Sequence, residues 1–332
     1  MPGRHVFDVV GIGNALVDVI VHGEDDFLER NGLVKGSMTL IDTDRAVELY
    51  KAIGSGVEMS GGSAANTMCG VASFGGRGGY IGKVADDDLG TLFGHDLRAV
   101  GVAFRGPKPG DEIPTGRCLI VVTPDAERTM STYLGMSSLL VPDDVDPDVV
   151  ASGKVVYLEG YLWDRPEAMA AYRKAAAVAH DAGNKVSLTL SDSFCVDRHR
   201  EAFLDLVAGE VDILFSNEDE ICSLYEVDSF DDAVARVSKH VEIAAITCGA
   251  KGSIVVSRDG QVAVPAEPVD EVVDTTGAGD LYAAGFLHGL THDLTLVDCA
   301  RLGSIAASEV ISHVGARPVT SLARLARAAG FR

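Results

Sequence analysis

From about residue 150 onward, short strand-like runs alternate with longer segments of helical pattern. Residues 155–158, 186–190, 212–215 and 243–247 read as strands. Between them, 168–182 is alanine-rich and helical, with Asp164 as its cap, Pro166 near its start and Gly183 at its end. Further helices are predicted over 200–207, 218–225 and 231–240. Strand–helix alternation implies right-handed crossovers and a parallel sheet covered on both faces. Residues 253–257 and 261–264, joined through Arg258-Asp259-Gly260, predict a hairpin near the sheet edge. Helices follow over 281–287, near 296–312 and from Ser321.

The first 140 residues read differently. Residues 6–10 resemble a core strand, but 17–22, 37–41, 117–122 and 129–134 are short strands with mixed faces, separated by polar or glycine-rich turns. They predict a small β-sheet lid, 15–42 and 113–136, inserted discontinuously into an α/β core formed by 1–14, 43–112 and 137–332. No internal repeat or long linker interrupts this plan.

Composition narrows the function classes. A chain of 332 residues, 47% hydrophobic, buries a large core as one domain or a domain with an insert. Its net charge of −21 argues against nucleic-acid or anionic-membrane partners, so nucleotide phosphates would need helix N-termini, Mg²⁺ and a few placed cations. The six cysteines are scattered without a C-x-x-C pair, which suits buried thiols in a reducing compartment and suggests neither a zinc site nor a redox motif. No apolar run reaches the ~20 residues of a membrane span. The N-terminus shows no signal-peptide pattern, and a cytoplasmic location is the expectation.

The most informative stretch is Asp274-Thr275-Thr276-Gly277-Ala278-Gly279-Asp280, which runs into an apolar helix. Its glycines let successive N–H groups converge at the positive end of the helix dipole and form an anion cradle. A carboxylate at such a mouth repels the anion unless it acts as a base on an alcohol while a phosphoryl group arrives. The plainer alternative makes Asp280 a helix-capping residue.

Three further segments carry polar chemistry. Gly11-Ile12-Gly13-Asn14-Ala15-Leu16 lacks the third glycine of a dinucleotide fingerprint and is followed by a strand, so Asn14 and Asp18 read instead as an amide and a carboxylate for vicinal hydroxyls, or as turn-stabilising residues. Gly61, Gly62, Ser63 and Asn66 open a helix over 67–74, where the paired glycines permit close approach of a ligand. Asn217-Glu218-Asp219-Glu220 follows a strand at the end where α/β folds bind ligands; its carboxylates suit Mg²⁺ held through water, or a dipole-complementing helix start. Thr247, Gly249 and Gly252 form a bend after another strand. His288 and His292 lack the metalloprotease pattern, and neither a Walker A nor a G-x-S-x-G sequence is present.

Together the Gly61–Asn66 segment, Asn217-Glu218-Asp219-Glu220 and the seven-residue cradle resemble the ribokinase/phosphofructokinase-B family over nearly the whole chain. The resemblance implies a ribokinase-like three-layer α/β/α fold with a mostly parallel sheet and a small β lid, and an ATP- and Mg²⁺-dependent kinase acting on a primary alcohol. It implies Asp280 as base, the amides of Gly277, Ala278 and Gly279 around the phosphoryl charge, Glu220 and Asn217 around water-held Mg²⁺, and Asn14, Asp18, Gly61, Gly62, Ser63 and Asn66 at the sugar hydroxyls. Thr247, Gly249, Gly252, Asn217 and Thr275 would line ATP, and K⁺ near the cradle would take Asp274 and Thr276 as ligands. Ser63 replaces the lysine of ribokinases, and no extra cation in the polar segments marks a phosphorylated acceptor. The 13–18, 212–218 and 128–137 segments look more like the adenosine kinase branch, with Leu40, Leu134, Met136 and a stacking Tyr133 around a purine, whereas 193–200 departs from that pattern. The expected acceptor is therefore a nucleoside, adenosine, with a free sugar as the alternative, in a monomer or homodimer without nucleic-acid or membrane partners.

Overall fold

The computed structural model describes residues 5–106, 113–125 and 127–331. Its strands are β1 (Phe7–Ile12), β2 (Leu16–His22), β3 (Met38–Leu40), β4 (Val57–Gly61), β5 (Gly78–Ile81), β6 (Ala103–Phe104), β7 (Gly116–Val122), β8 (Arg128–Tyr133), β9 (Gly153–Glu159), β10 (Lys185–Thr189), β11 (Ile213–Asn217), β12 (Ile243–Thr247), β13 (Ser253–Ser257) and β14 (Gly260–Val264). A nine-stranded sheet runs β14-β13-β12-β11-β10-β9-β1-β5-β6. It is parallel from β12 to β6, and the β13–β14 hairpin closes its other edge antiparallel.

Both faces of this sheet are covered. Val9, Tyr157 and Phe215 turn to one apolar layer, shared with helices Ser63–Ser73, Ala278–Thr291 and Leu296–Val310. Their neighbours Val10, Val156 and Leu214 turn to the other, under helices Pro166–Asp181, Ser193–Gly209 and Glu218–Tyr225. Alternate residues thus feed opposite layers, which explains why these strands are apolar almost throughout.

Two local expectations change. Asp164 does not cap the following helix; it ends a 3₁₀ turn, and its carboxylate accepts hydrogen bonds from His199 (2.6 Å) and Arg198 (3.1 Å). The cap position falls to Arg165, and Pro166 supplies the preset first turn. The helix expected over 200–207 begins at Ser193 and merges two pieces across a kink at His199.

The small sheet runs β3-β8-β7-β2-β4. It takes in β4, residues 57–61, which fall within the expected core range 43–112. The strand escaped notice because Val57-Glu58-Met59-Ser60-Gly61 is only half apolar, and it pairs antiparallel with β2 before leading straight into the Ser63 helix. Residues 1–4, 107–112 and 332 of the expected core ranges, and residue 126 of the expected lid, lie outside the described residues.

Candidate active site

The cradle is built by one tight conformation. Gly277 caps the Ala278–Thr291 helix with φ +79°, where a side chain would press on Ala316 Cα at 2.8 Å. The Ala278 amide closes a turn onto the Thr275 carbonyl at 3.2 Å, so the amides that open the helix axis are those of Gly279 and Asp280. A side chain at Gly279 would meet open space, which leaves this end of the helix accessible. Thr275 stands exposed at its rim.

Asp280 is half-buried in the first helical turn. It accepts hydrogen bonds from Ser63 Oγ (2.6 Å) and Asn66 Nδ2 (3.1 Å). Both donors come from the Ser63–Ser73 helix, which lies close because Gly70 has no side chain: a Cβ there would stand 2.5 Å from Ala284 Cβ. Burial raises the Asp280 pKa to about 6 against the effect of these two donors. The carboxyl faces polar groups at the helix mouth, not packed hydrocarbon.

Asp18 reaches the same place from the lid strand β2. Burial lifts its pKa to about 6, with the charge of Asp280 adding to the rise and Arg317 and Arg128 opposing it. Gly61 is required here because a Cβ would collide with the Asp18 carboxylate, and Gly62, at φ +93°, would collide with the Asn14 carbonyl. Asn14 differs from expectation. It is 2% exposed, with Nδ2 donating to Glu159 Oε1 (2.9 Å) and Oδ1 accepting from Ser137 Oγ (2.9 Å). Both functions of its amide are engaged within the protein, so its side chain does not project freely into the cleft.

Glu159, absent from the sequence reading, organises this layer. At the end of β9 and 1% exposed, it also accepts from the amides of Asn14 (3.2 Å) and Ala64 (2.8 Å). Burial pushes its pKa to about 7 despite those bonds. A single acid ending the apolar run Val155-Val156-Tyr157-Leu158 was the available signal.

Asn217 and Thr247 are register partners at the ends of β11 and β12. Asn217 and Glu220 form a reciprocal capping box: Glu220 N donates to Asn217 Oδ1 (2.8 Å), while Asn217 N and Nδ2 donate to the Glu220 carboxylate (3.0 and 2.7 Å). Glu220 is buried, and burial with the nearby charges of Asp192 and Asp219 raises its pKa to about 7. Among the described residues no three His, Cys, Asp or Glu side chains converge to hold a metal. Since the Asn217 and Glu220 side chains are engaged with each other, Mg²⁺ at this end of β11 would be held through water and phosphate oxygens, the ion's usual manner. Gly249 has φ +55° and open space around it, whereas Gly252 is a glycine because a Cβ would strike the Val264 carbonyl of the hairpin. A packing contact accounts for Gly252 without a nucleotide.

Asp274 and Thr276 do not fit as K⁺ ligands through their side chains. Arg128, from lid strand β8, places Nη2 2.8 Å from Asp274 Oδ2 and donates from Nη1 to Thr276 Oγ1 at 3.0 Å. Thr276 Oγ1 itself donates to Asp274 Oδ1 (2.7 Å), and Gly315 N donates to Oδ2 (2.8 Å). A guanidinium already balances this carboxylate.

A cleft of about 290 Å³ at the lid is lined by Leu40, Ile41, Tyr133, Leu134, Leu139 and Arg165. Met136 is 2% exposed and belongs to the packed interior instead. Tyr133 shows the cleft only part of its ring, since it is 6% exposed and its hydroxyl accepts from Thr43 (3.1 Å). A larger cavity of about 860 Å³, bordered by Phe7, Tyr80, Phe104 and Lys174, includes none of the residues above.

The model of the pfkB family of carbohydrate kinases matches residues 32–322. The chain belongs to that family. This pfkB kinase is a phosphotransferase with an alcohol group as acceptor, in a family that uses ATP. It is 27% identical to the adenosine kinase of Saccharomyces cerevisiae over 92% of this chain and 95% of that one. The solved structure of adenosine kinase from Sinorhizobium meliloti is 53% identical, with a TM-score of 0.90 over 98% of this chain and 99% of that one. A protein from Rhizobium etli CFN 42 described as a probable sugar kinase is 50% identical, also with a TM-score of 0.90, over 98% of both chains. The expected ribokinase-like α/β architecture with its second small sheet is the one observed.

Proposed function

We propose that this kinase transfers the γ-phosphoryl group of ATP to the 5′-hydroxyl of a nucleoside, adenosine, giving AMP. The observation that carries the reading is Asp280: a half-buried acid with its pKa raised to about 6, held by Ser63 and Asn66 at an open helix N-terminus. The acceptor hydroxyl would give its proton to Asp280 while its oxygen bonds to the γ-phosphorus and ADP leaves. The helix-opening amides of Gly279 and Asp280, with that of Gly277 at the cap, face the charge on the transferring group. Mg²⁺, when bound near Glu220 and Asn217, supplies charge neutralisation of the phosphates. Thr247, Gly249 and Thr275 stand where the adenine-nucleotide side would pass.

Asp18 would take the ribose hydroxyls, backed by Gly61 and Gly62, and the base would enter the cleft between Leu40, Tyr133 and Leu134. Leu16, two residues before Asp18, and the Leu134 carbonyl both lie against Gly116, so ribose and base subsites would adjoin. The likeness to the Sinorhizobium enzyme supports this choice. On this reading the reaction is a purine-salvage step in the cytoplasm. A free sugar is the second reading, favoured by the likeness to the Rhizobium protein and by the modest size of the cleft. An ATP-consumption screen of purified protein against adenosine, inosine, guanosine, ribose and fructose decides: preference for adenosine supports the proposal, and turnover of ribose or fructose alone refutes it.

A further inference from the structure

We propose that Arg317 is a positioning residue for phosphoryl transfer, orienting the Asn66 amide that holds Asp280; this rests on the kinase reading above. Arginine has donors only, whereas an asparagine amide carries one acceptor and one donor end. Arg317 Nε donates to Asn66 Oδ1 at 3.2 Å, which leaves Asn66 Nδ2 to donate to Asp280 Oδ2 at 3.1 Å. A flipped amide would set NH₂ against the guanidinium and oxygen against the carboxylate, two repulsive contacts in place of two hydrogen bonds. The arginine therefore dictates which face of Asn66 the acid meets.

The guanidinium is itself held in place. Nη1 donates to Ser60 Oγ on lid strand β4 (2.6 Å), and that hydroxyl donates to Asp96 (3.2 Å). The loop carrying Arg317 is anchored by two buried carboxylates: Gly315 N donates to Asp274 (2.8 Å), and Val319 N and Thr320 N donate to Glu309 (3.0 and 2.6 Å). Ala316 packs directly against Gly277 of the cradle. Arg317 and Asp280 therefore share one frame, although 37 positions separate them in the chain numbering. Nη2 is buried without a hydrogen bond among the described residues. Keeping such a nitrogen dry costs free energy, so a purely structural filler would be better served by an apolar side chain.

The test compares wild type, Arg317→Met, Arg317→Lys, Asn66→Ala and the Arg317→Met/Asn66→Ala double variant. It reads kcat and KM for adenosine (or for whichever screened alcohol the wild type phosphorylates), KM for ATP, and Tm. Misorienting the acid predicts a kcat about 10- to 100-fold lower in Arg317→Met, with KM for ATP within about twofold of wild type. Lysine should not restore the rate, because it lacks the planar fork. If Arg317 acts through Asn66, the double variant is no slower than Asn66→Ala alone. Losses that multiply in the double variant overturn the proposal, as does a folded Arg317→Met or Arg317→Lys protein with wild-type kcat. Should the methionine variant fail to fold, the lysine variant still decides. A wild type that phosphorylates no alcohol refutes the kinase reading first; an active wild type with an indifferent Arg317 refutes this inference alone.

Discussion

Acidification should silence this enzyme while making it more stable. Burial raises Asp280 and Asp18 from an ordinary 3.8 to about 6, and Glu159 and Glu220 from 4.5 to about 7. A base must be ionised to act, and a group titrating near pH 6 is about nine-tenths ionised at pH 7 and about one-tenth at pH 5. If Asp280 alone must be ionised, kcat/KM at pH 5 lies about tenfold below its plateau; if Asp18 must be ionised too, the fall is about 100-fold. Stability runs the other way. Each of these carboxyls binds its proton more tightly folded than unfolded, so between the unfolded and folded values the native state carries more protons, and stability rises as pH falls. Asp8 has the opposite sign: hydrogen bonds from Arg77 and Lys154 outweigh its burial and hold its pKa well below 3.8, but that contribution is lost only below about pH 4. The measurement is kcat/KM for adenosine from pH 5 to 8 at constant ionic strength and saturating ATP, with Tm recorded in the same buffers. A rate that stays flat down to pH 5, or a Tm that falls in step with the rate between pH 7 and 5.5, would refute the reasoning.

Asp280→Asn keeps the size of the side chain and removes the base, so kcat should fall by about 10³-fold while the Kd values for adenosine and ATP move little; wild-type turnover would end the base assignment. Gly70→Ala puts a methyl group 2.5 Å from Ala284 Cβ and should cost about 1–3 kcal/mol of stability. An unchanged Tm would show that the two helices separate freely. Glu220→Gln should raise the Mg²⁺ concentration giving half-maximal rate, since the carboxylate beside Asp192 and Asp219 loses its charge; a superimposable Mg²⁺ titration would place the metal's organiser elsewhere.

Legibility in the sequence followed the locality of the cause. The cradle could be read because its glycines, its acid and the start of its helix lie within seven consecutive residues whose backbone geometry is self-contained. The parallel core could be read because strands buried on both faces leave runs such as Val155-Val156-Tyr157-Leu158. Strand β4 was missed because its membership depends on pairing with β2, not on its own pattern. Arg317 left no local trace: an arginine between Ala316 and Pro318 looks like a surface residue until the fold brings Ser60 and Asn66 to it. No basic residue stands near Gly61 and Asn66 in the sequence, yet Arg128 and Arg317 reach the site from 62 and 251 positions further along the chain than Asn66. Asn14 was legible in place but not in role, because its partners Ser137 and Glu159 lie more than 120 positions away.

Two carboxylates with the same raised pKa act on each other through space, and their surroundings differ. Asp280 has a donor on each oxygen, Ser63 on one and Asn66 on the other, so its orientation is set before any ligand arrives. Among the described residues no hydrogen bond reaches the Asp18 carboxylate; its charge is balanced only through space by Arg317 and Arg128. An acid whose lone pairs are open and whose charge is tolerated at a distance is suited to accept two hydroxyl donors from a polyol. An oriented acid beside open helix-terminal amides is suited to remove one proton. A hydroxyl-bearing ligand that donates to Asp18 favours its ionised form, so the doubly ionised pair that turnover requires persists to lower pH when the acceptor is bound. The acid limb of kcat, measured with acceptor bound, should therefore lie at lower pH than that of kcat/KM, which reports the free enzyme. Coincident limbs would mean that the two acids titrate independently and that Asp18 does not meet the acceptor.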